Sequence, residues 1–415
     1  MPMSAEFAER LLPLLPDLVA SYDTPFHIYD ARGIVATHEA MVRAFGNAAY
    51  RQYFAVKALP NPNVLALLRA AGSGFDCSSA VEVRLALAVG AQAGDIVFTS
   101  NNTALSEYQL ARAAGALITF DDRSFLKKVD ELPETVAFRI SPSGLTAGCA
   151  LMGSAAHSKF GVPVHELAGA YADAVARGAR RFGIHGMTLA NELDTGRAAR
   201  AAADVIRIGA RIADRIGIGL AYVNVGGGLG IPYREDDKPI DFTAYAEEIV
   251  AAKEEYFGSG GPRILTEIGR YVTGPHGVLV TRVINRCRKG HEIAGLDASM
   301  SSLMRPALYG AYHHISLPYA KGRPLGRFDV VGALCENLDK FAIDRELPEP
   351  RDGDIALVHD TGAHGHAMGF TYNGRLRPAE LMLTDGGDVV EIRRAETYDD
   401  YTATVRWEAP VRTGA

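Results

Sequence analysis

Eight short apolar runs recur along the first two thirds of the chain, with helix-patterned segments between them. They are YFAVK (53–57), GFDCS (74–78), IVFTS (96–100), LITFD (117–121), VAFRIS (136–141), RFGIHGM (181–187), AYVNVGG (221–227) and RILTEIG (263–269). Most are continuous and rich in β-branched or aromatic residues, as strands covered on both faces should be. Between them, PNVLALLRAAG (62–72) and AVEVRLALAVGA (80–91) space leucines and valines three and four apart, a helical pattern. Ser79 with Glu82 predicts a capping box for the second of these, and Gly72 and Gly90 predict the helix stops. Eight strands alternating with helices over residues 32–280 predict a (β/α)8 barrel of TIM type. An open doubly wound sheet is the alternative.

After about residue 280 the rhythm changes. GVLVTRVINRC (277–287), RFDVVGALC (327–335), DIALVHD (354–360) and DVVEIRR (388–394) are strand-like, with few helical stretches between them. Residues 281–415 therefore predict a second, mainly β domain, which the N-terminal segment 1–31, with PFHIYD (25–30), is expected to join.

A barrel gathers its chemistry where the strands end. Lys57, Asp76, Asn101, Asp121, Arg139, His185, Gly226 and Glu267 all stand at or near such ends. Composition narrows the classes. The 415 residues, 48% hydrophobic and 22% charged, suffice for a large core. Net charge is −6 and no basic stripe is present, so a nucleic-acid partner is not expected. The four cysteines, Cys77, Cys149, Cys287 and Cys335, are scattered, which speaks against structural zinc and a disulfide framework and suits a reducing cytoplasm. The first residues lack the basic start and apolar core of a signal peptide, and no run reaches membrane-spanning length.

Several residues point to chemistry. Lys57 closes an apolar run before a Pro/Asn turn, a place for an amine that meets a carbonyl and forms a Schiff base. A lysine snorkelling to water is the plain alternative. Gly226, Gly227 and Gly228 let backbone N–H groups face an anion, and Gly269 and Arg270 after the eighth strand complete a phosphate cup. A tight strand-to-helix turn would also use such glycines. Glu267, inside an apolar run, needs a cationic partner: the ring nitrogen of a pyridine cofactor, or Arg270 in a structural ion pair. Arg305 suits a bidentate clamp on a carboxylate, or is a solvated loop arginine. Cys335 with Glu336 at the end of a strand is either a reactive thiol or a small buried hydrophobe.

In order along nearly the whole chain, these segments resemble the pyridoxal-phosphate decarboxylases of the alanine-racemase-like fold, above all diaminopimelate decarboxylase and more distantly ornithine decarboxylase. YFAVKA resembles the family's lysine motif, FDCSSAVE (75–82) the next strand end, HSKFG (157–161) the loop after the fifth strand, and GGGLG and EIGR the phosphate and pyridine-nitrogen segments. RPALYGAYH, CENLD and DTGAHGHAMGFTYNGRLRPAE (360–380) resemble the substrate, Cys-Glu and closing motifs. The resemblance implies pyridoxal 5'-phosphate as cofactor, with Lys57 its covalent anchor. It places Asp76, His185, Gly226, Gly227, Gly228, Glu267, Gly269, Arg270, His364 and Tyr372 around the cofactor. Arg305, Tyr309 and Glu336 would bind an amino-acid substrate with a distal carboxylate, and Cys335 would reprotonate its carbon from across a homodimer interface. No metal is implied.

Two departures stand out. The family's HxHIGS pattern reads GIHGMTLANE (183–192) here, so Met187 replaces the stacking histidine and only His185 remains. His364 stands where the family has a phosphate-binding tyrosine. They leave open a decarboxylase for another carboxylated amine of specialised metabolism, such as a citryl-diamine or a carrier-bound amino acid. A racemase of the same fold and a non-enzymatic cofactor-binding homologue are further alternatives.

Overall fold

Residues 3–142 and 157–406 are described in the computed structural model of the chain; Cys149 lies outside them. Strand β1 (Phe26–Asp30) and the helix Ala31–Ala44 precede the eight runs. Those runs form β2 (Tyr50–Ala55), β3 (Gly74–Cys77), β4 (Ile96–Thr99), β5 (Leu117–Phe120), β6 (Thr135–Ile140), β7 (Arg181–Gly186), β8 (Leu220–Asn224) and β9 (Arg263–Thr266). Neighbours pair in parallel, and β9 closes on β2, with Arg51 opposite Leu265. That closure decides for the barrel over the open sheet.

One interior layer takes Tyr53, Val97, Ala137 and Tyr222 from alternate strands, with Leu265 beside them. Two tyrosines fit because their neighbours carry no side chain. A Cβ at Gly183 would stand 2.3 Å from the Tyr222 ring, and one at Gly74 2.5 Å from Tyr53. Around the barrel the expected helices run Pro62–Ala70 and Ala80–Ala88, each followed by a glycine in the left-handed region, Gly72 at φ 95° and Gly90 at φ 88°. The capping box forms only in part. Ser79 accepts from the Glu82 N–H at 3.3 Å, but the Glu82 carboxylate accepts from Ser78 rather than from Ser79.

The apolar runs overshoot the paired strands at their C-terminal ends. Pairing stops where the backbone turns toward the next helix, at Ala55, Asn224 and Thr266. Lys57 therefore sits in a one-turn helix, Val56–Ala58, and Glu267 is the first residue after β9 rather than inside a strand.

The remaining strands are β10 (Gly277–Arg288), β11 (Glu292–Leu296), β12 (Ile315–Ser316), β13 (Leu325–Val331), β14 (Lys340–Pro348), β15 (Ile355–Val358), β16 (Ala379–Leu383) and β17 (Val389–Arg393). They form one sheet, ordered β14-β13-β11-β10-β1-β16-β17, with β15 joining β10 to β12. β1 lies between β10 and β16, so PFHIYD is part of this sheet. β13 ends at Val331, so Cys335 and Glu336 lie in the loop to β14 and do not close a strand. No described helix is long and apolar enough to cross a membrane.

One buried carboxylate fastens the sheet to the lysine turn. Glu380 on β16 accepts from the Tyr29 hydroxyl at 2.7 Å, from Asn61 Nδ2 at 3.0 Å and from Arg393. The Asn61 side-chain oxygen meanwhile caps the helix Pro62–Ala70 by accepting from the Asn63 N–H.

Candidate active site

At the C-terminal mouth of the barrel a cavity of about 170 Å³ is lined by Lys57, Asp76, His185, Gly228, Glu267, Gly269, Arg270 and His364 among others. Eight predicted residues thus meet from six strand ends or loops. Lys57 projects into this space from between Val56 and Ala58, which are buried, and is itself exposed. A second chamber of about 390 Å³ adjoins the first, sharing Ala190, Asn191, Arg270 and His364, and takes in Arg305 and Tyr309.

The floor of the first cavity is a polar network around Glu267. Its Oε1 accepts from Thr99 at 3.0 Å and from Asn224 Nδ2 at 2.7 Å; its Oε2 accepts from His185 Nε2 at 2.9 Å. Burial raises the affinity of Glu267 for a proton, but His185, Lys57 and the Thr99 hydrogen bond outweigh it and hold the carboxyl below the usual range. Asp76 goes the other way: burial, reinforced by the charge of Glu267, keeps its carboxyl protonated well above the usual range. Two adjacent carboxyls thus divide into one anion and one neutral acid. The alternative Glu267–Arg270 ion pair does not form; Arg270 donates to the Tyr233 hydroxyl at 2.6 Å instead.

Arg139, named above only as a strand-end residue, lies 3.7 Å from Asp121, over the Phe160 ring at 4.3 Å, and lines the cavity. Thr99 and Asn224 were not singled out from the sequence, although both are the last residues of their strands. Met187 also faces the cavity, its sulfur 3.2 Å from the Gly227 N–H.

The glycine loop departs from expectation in part. A Cβ would stand 2.4 Å from Gly186 O at Gly226, 2.4 Å from Glu267 O at Gly227 and 2.2 Å from Leu189 O at Gly228, so only glycine fits between the ends of β7 and β9. The Gly226 N–H is taken by Asn224 Oδ1, and the Gly227 N–H faces the Met187 sulfur. Gly228 alone of the three lines the cavity.

Arg305 is not a solvated loop arginine. It is 4% exposed on the helix Arg305–Tyr309, stacks over Tyr233 at 4.8 Å and donates to His313 Nε2 at 2.7 Å. Its Nε has no partner among the described residues. Cys335, Glu336 and Tyr372 lie outside both chambers and are exposed, with the Cys335 N–H bonded to Asn373 Oδ1 at 2.7 Å. Cys335 is therefore not a buried hydrophobe.

The site suits a phosphorylated pyridine aldehyde. An amine, Lys57, faces a floor carboxylate; of the roughly four acceptor positions on that carboxylate three are used and one remains for a ring N–H. Gly228, Gly269, Arg270 and His364, which line the same cavity, supply backbone and cationic groups for an anion.

The comparisons agree with this. Residues 31–274 match the family described as "Pyridoxal-dependent decarboxylase, pyridoxal binding domain". The chain is 64% identical over 408 residues to Protein TabA of Pseudomonas amygdali pv. tabaci, covering 98% of this chain and 97% of that one. It is 34% identical over 396 residues to diaminopimelate decarboxylase of Methanothermobacter thermautotrophicus, covering 92% of each. Among solved structures, diaminopimelate decarboxylase from M. jannaschii in complex with L-lysine superposes with a TM-score of 0.88 at 27% identity, over 94% of each chain. The chain belongs to the pyridoxal-dependent decarboxylases of the alanine-racemase-like fold. It is a carboxy-lyase that uses pyridoxal 5'-phosphate.

Proposed function

We propose that the chain removes the α-carboxylate of an amino acid whose far end carries a second carboxylate, as diaminopimelate does. The observation that carries this is Arg305. A guanidinium buried to 4% exposure, with Nε unpartnered, at the wall of a chamber continuous with that of Lys57, calls for an anionic group. Tyr309, on the same helix, lines the same chamber.

Lys57 would hold the cofactor's aldehyde end, Glu267 its ring nitrogen, and Gly228, Gly269, Arg270 and His364 its phosphate. When bound, the cofactor supplies a sink for the electron pair released with carbon dioxide. Glu267 keeps that sink positively charged by staying ionised, which His185, Asn224 and Thr99 secure. Arg305 fixes the distal end and so orients the scissile bond. Lys57 would be the residue that anchors the cofactor covalently between turnovers, and its place in the cavity lining keeps it within the same space as the substrate.

The carbon that loses carbon dioxide takes up a proton in its place. We assign it to Cys335 of a second copy, with Glu336 beside it facing the substrate. Support comes from exposure: Cys335 and Glu336 stand out on a loop with Leu338 at 61%, and the neighbouring Tyr372 is 53% exposed. A complementation experiment tests the whole reading. Lys57→Ala and Cys335→Ala should each lack turnover. Coexpressed, about half the dimers should be mixed, each with one intact site, restoring about a quarter of wild-type activity. Absence of recovery in verified mixed dimers would refute the shared site, and turnover by Lys57→Ala would refute the chemistry.

A second reading is favoured by one contrast. Identity falls from 64% with TabA to 34% with a diaminopimelate decarboxylase, while Met187 and His364 replace family side chains in the cavity. On this reading the distal carboxylate belongs to a different carboxylated amine. A panel of acidic amino acids, scored by carbon dioxide release, separates the two: no turnover of diaminopimelate leaves only the second.

A further inference from the structure

The second chamber is more cationic than one distal carboxylate requires. Arg234, Arg270 and Arg305 line it, and Asp237 is the one acid in that lining among the described residues. Arg270 is engaged by the Tyr233 hydroxyl and assigned above to the cofactor's phosphate, and Arg305 to the distal carboxylate. Arg234 is left over. It stands on the loop between β8 and the helix Phe242–Phe257. Asp237 does not answer its charge, since Oδ2 accepts from the Arg234 backbone N–H at 3.0 Å. The Arg234 guanidinium pairs with no carboxylate among the described residues, whereas Arg323 and Arg327 are matched by Asp354 and Asp344.

An arginine open to solvent needs no partner, and most such side chains wander. Arg234 is held in place. Its guanidinium carbon stands 4.1 Å from the centre of the Tyr312 ring, and that of Arg345 stands 4.1 Å from the same centre. Arg345 is fixed by donating to His313 O at 2.9 Å, and the His313 ring holds Arg305. One run of contacts through Tyr312, Arg345 and His313 therefore sets Arg234 relative to Arg305. Stacking occupies the face of a guanidinium and leaves its in-plane N–H donors for oxygen atoms. Arg305 shows the same arrangement over Tyr233 at 4.8 Å. Two stacked arginines thus face one chamber, and the cations gathered at Tyr312 repel each other until an anion arrives.

We propose that Arg234 forms a second anion subsite of the substrate chamber, so that the far end of the substrate is a doubly anionic group. The inference rests on the assignment of Arg305 to a distal carboxylate given above. Diaminopimelate ends instead in a carboxylate and an ammonium, and an ammonium is poorly placed beside three guanidiniums.

Four probes with the same α-amino acid end test this: 2-aminopimelate, its counterparts ending in a phosphonate or in a malonate, and diaminopimelate. Dissociation constants are read from the absorbance change of the bound cofactor on rapid mixing with holoenzyme, at mildly alkaline pH so that the phosphonate carries both charges. A doubly charged probe should bind at least about tenfold tighter than 2-aminopimelate, the low end of what a charge-assisted hydrogen bond contributes. Whichever of the two binds tighter identifies the head group. Arg234→Gln should erase the advantage and Arg234→Lys should keep part of it. Equal binding of all three acidic probes by the wild type overturns the subsite, as does an advantage that survives in Arg234→Gln or diaminopimelate as the tightest probe. Pairing of Arg234 with Glu336 of a second copy would show as a dimer weakened by Arg234→Gln with the probe ratio unchanged, and also overturns it. If Arg305→Gln leaves the binding of 2-aminopimelate intact, the distal-carboxylate reading itself falls.

Discussion

At the scale of single residues, the site turns on how one carboxylate is kept charged. Glu267 is 8% exposed and would be neutral if left alone. Three hydrogen bonds and the nearby Lys57 hold it ionised while Asp76 takes the neutral role. A charge pair at about 4 Å is worth roughly 4 kcal/mol at an effective dielectric near 20. Glu267→Gln keeps the shape and loses that charge, so kcat should fall by about two to three orders of magnitude. Steady-state kinetics at saturating cofactor checks it; a loss of less than about fivefold would mean that the charge on Glu267 is not used. Lys57, Glu267, Arg270 and Arg305 were legible in the sequence because each breaks an apolar or glycine-rich context. Thr99 and Asn224 were not, because a small polar residue at a strand end looks like any turn residue. Their value comes only from Glu267, 168 and 43 positions away. Arg305 was seen as a candidate clamp, yet its burial depends on Tyr233 and His313, which no local pattern reveals.

At the scale of elements, catalytic position depends on a turn too short to hold itself. Val56–Ala58 is a single turn, kept in place by His364 N–H on Ala58 O and by Asn61, which Glu380 grips from the β sheet. Glu380→Gln would remove the acceptor charge facing Arg393 and weaken the bonds to Tyr29 and Asn61. We expect a loss of about 3 kcal/mol in urea unfolding, the order seen when one member of a buried ion pair is removed. Because Asn61 caps the helix that follows Lys57, cofactor affinity should weaken in the same variant. Unchanged affinity despite the lost stability would show that the turn does not depend on the sheet. This element-level coupling explains what the sequence hid. β2–β9 were found because strands buried on both faces read as unbroken apolar runs. β14, the edge strand, whose middle residues Ile343, Asp344 and Glu346 are exposed, and β16, interrupted by Glu380, lack that signature. Strand ends were overshot for the same reason: β-branched composition continues past Ala55 and Thr266, but pairing does not.

At the scale of the whole molecule, buried histidines make the fold sensitive to acid. His27 and His276 are both pushed down to about 4, burial being the largest cause in each case. His313 and His366 are pushed down to about 3, again chiefly by burial. In the unfolded chain each takes a proton near pH 6.5, whereas the folded chain refuses it until about 4 or lower. Between those values the unfolded state binds more protons, so stability falls as pH falls. Each such histidine costs about 1.4 kcal/mol per pH unit. His27 and His276 alone would remove about 7 kcal/mol between pH 6.5 and pH 4, comparable to the entire stability of many domains. Glu380 adds to this from the other side. Its carboxyl is lowered to about 2 because His366, Arg393 and the Asn61 hydrogen bond outweigh burial; with His366 neutral above about 3, Arg393 and Asn61 carry the effect there, so its stabilisation is complete above about 4.5 and disappears as pH drops toward 2. Unfolding by urea at a series of pH values should show a steep loss beginning below about pH 6.5, above the range in which ordinary exposed carboxylates titrate. His276→Gln should make that loss shallower in this window. A stability curve flat from pH 7 to pH 5 would mean that these imidazoles gain their protons in the folded state, through water or a loosening of the sheet around β1.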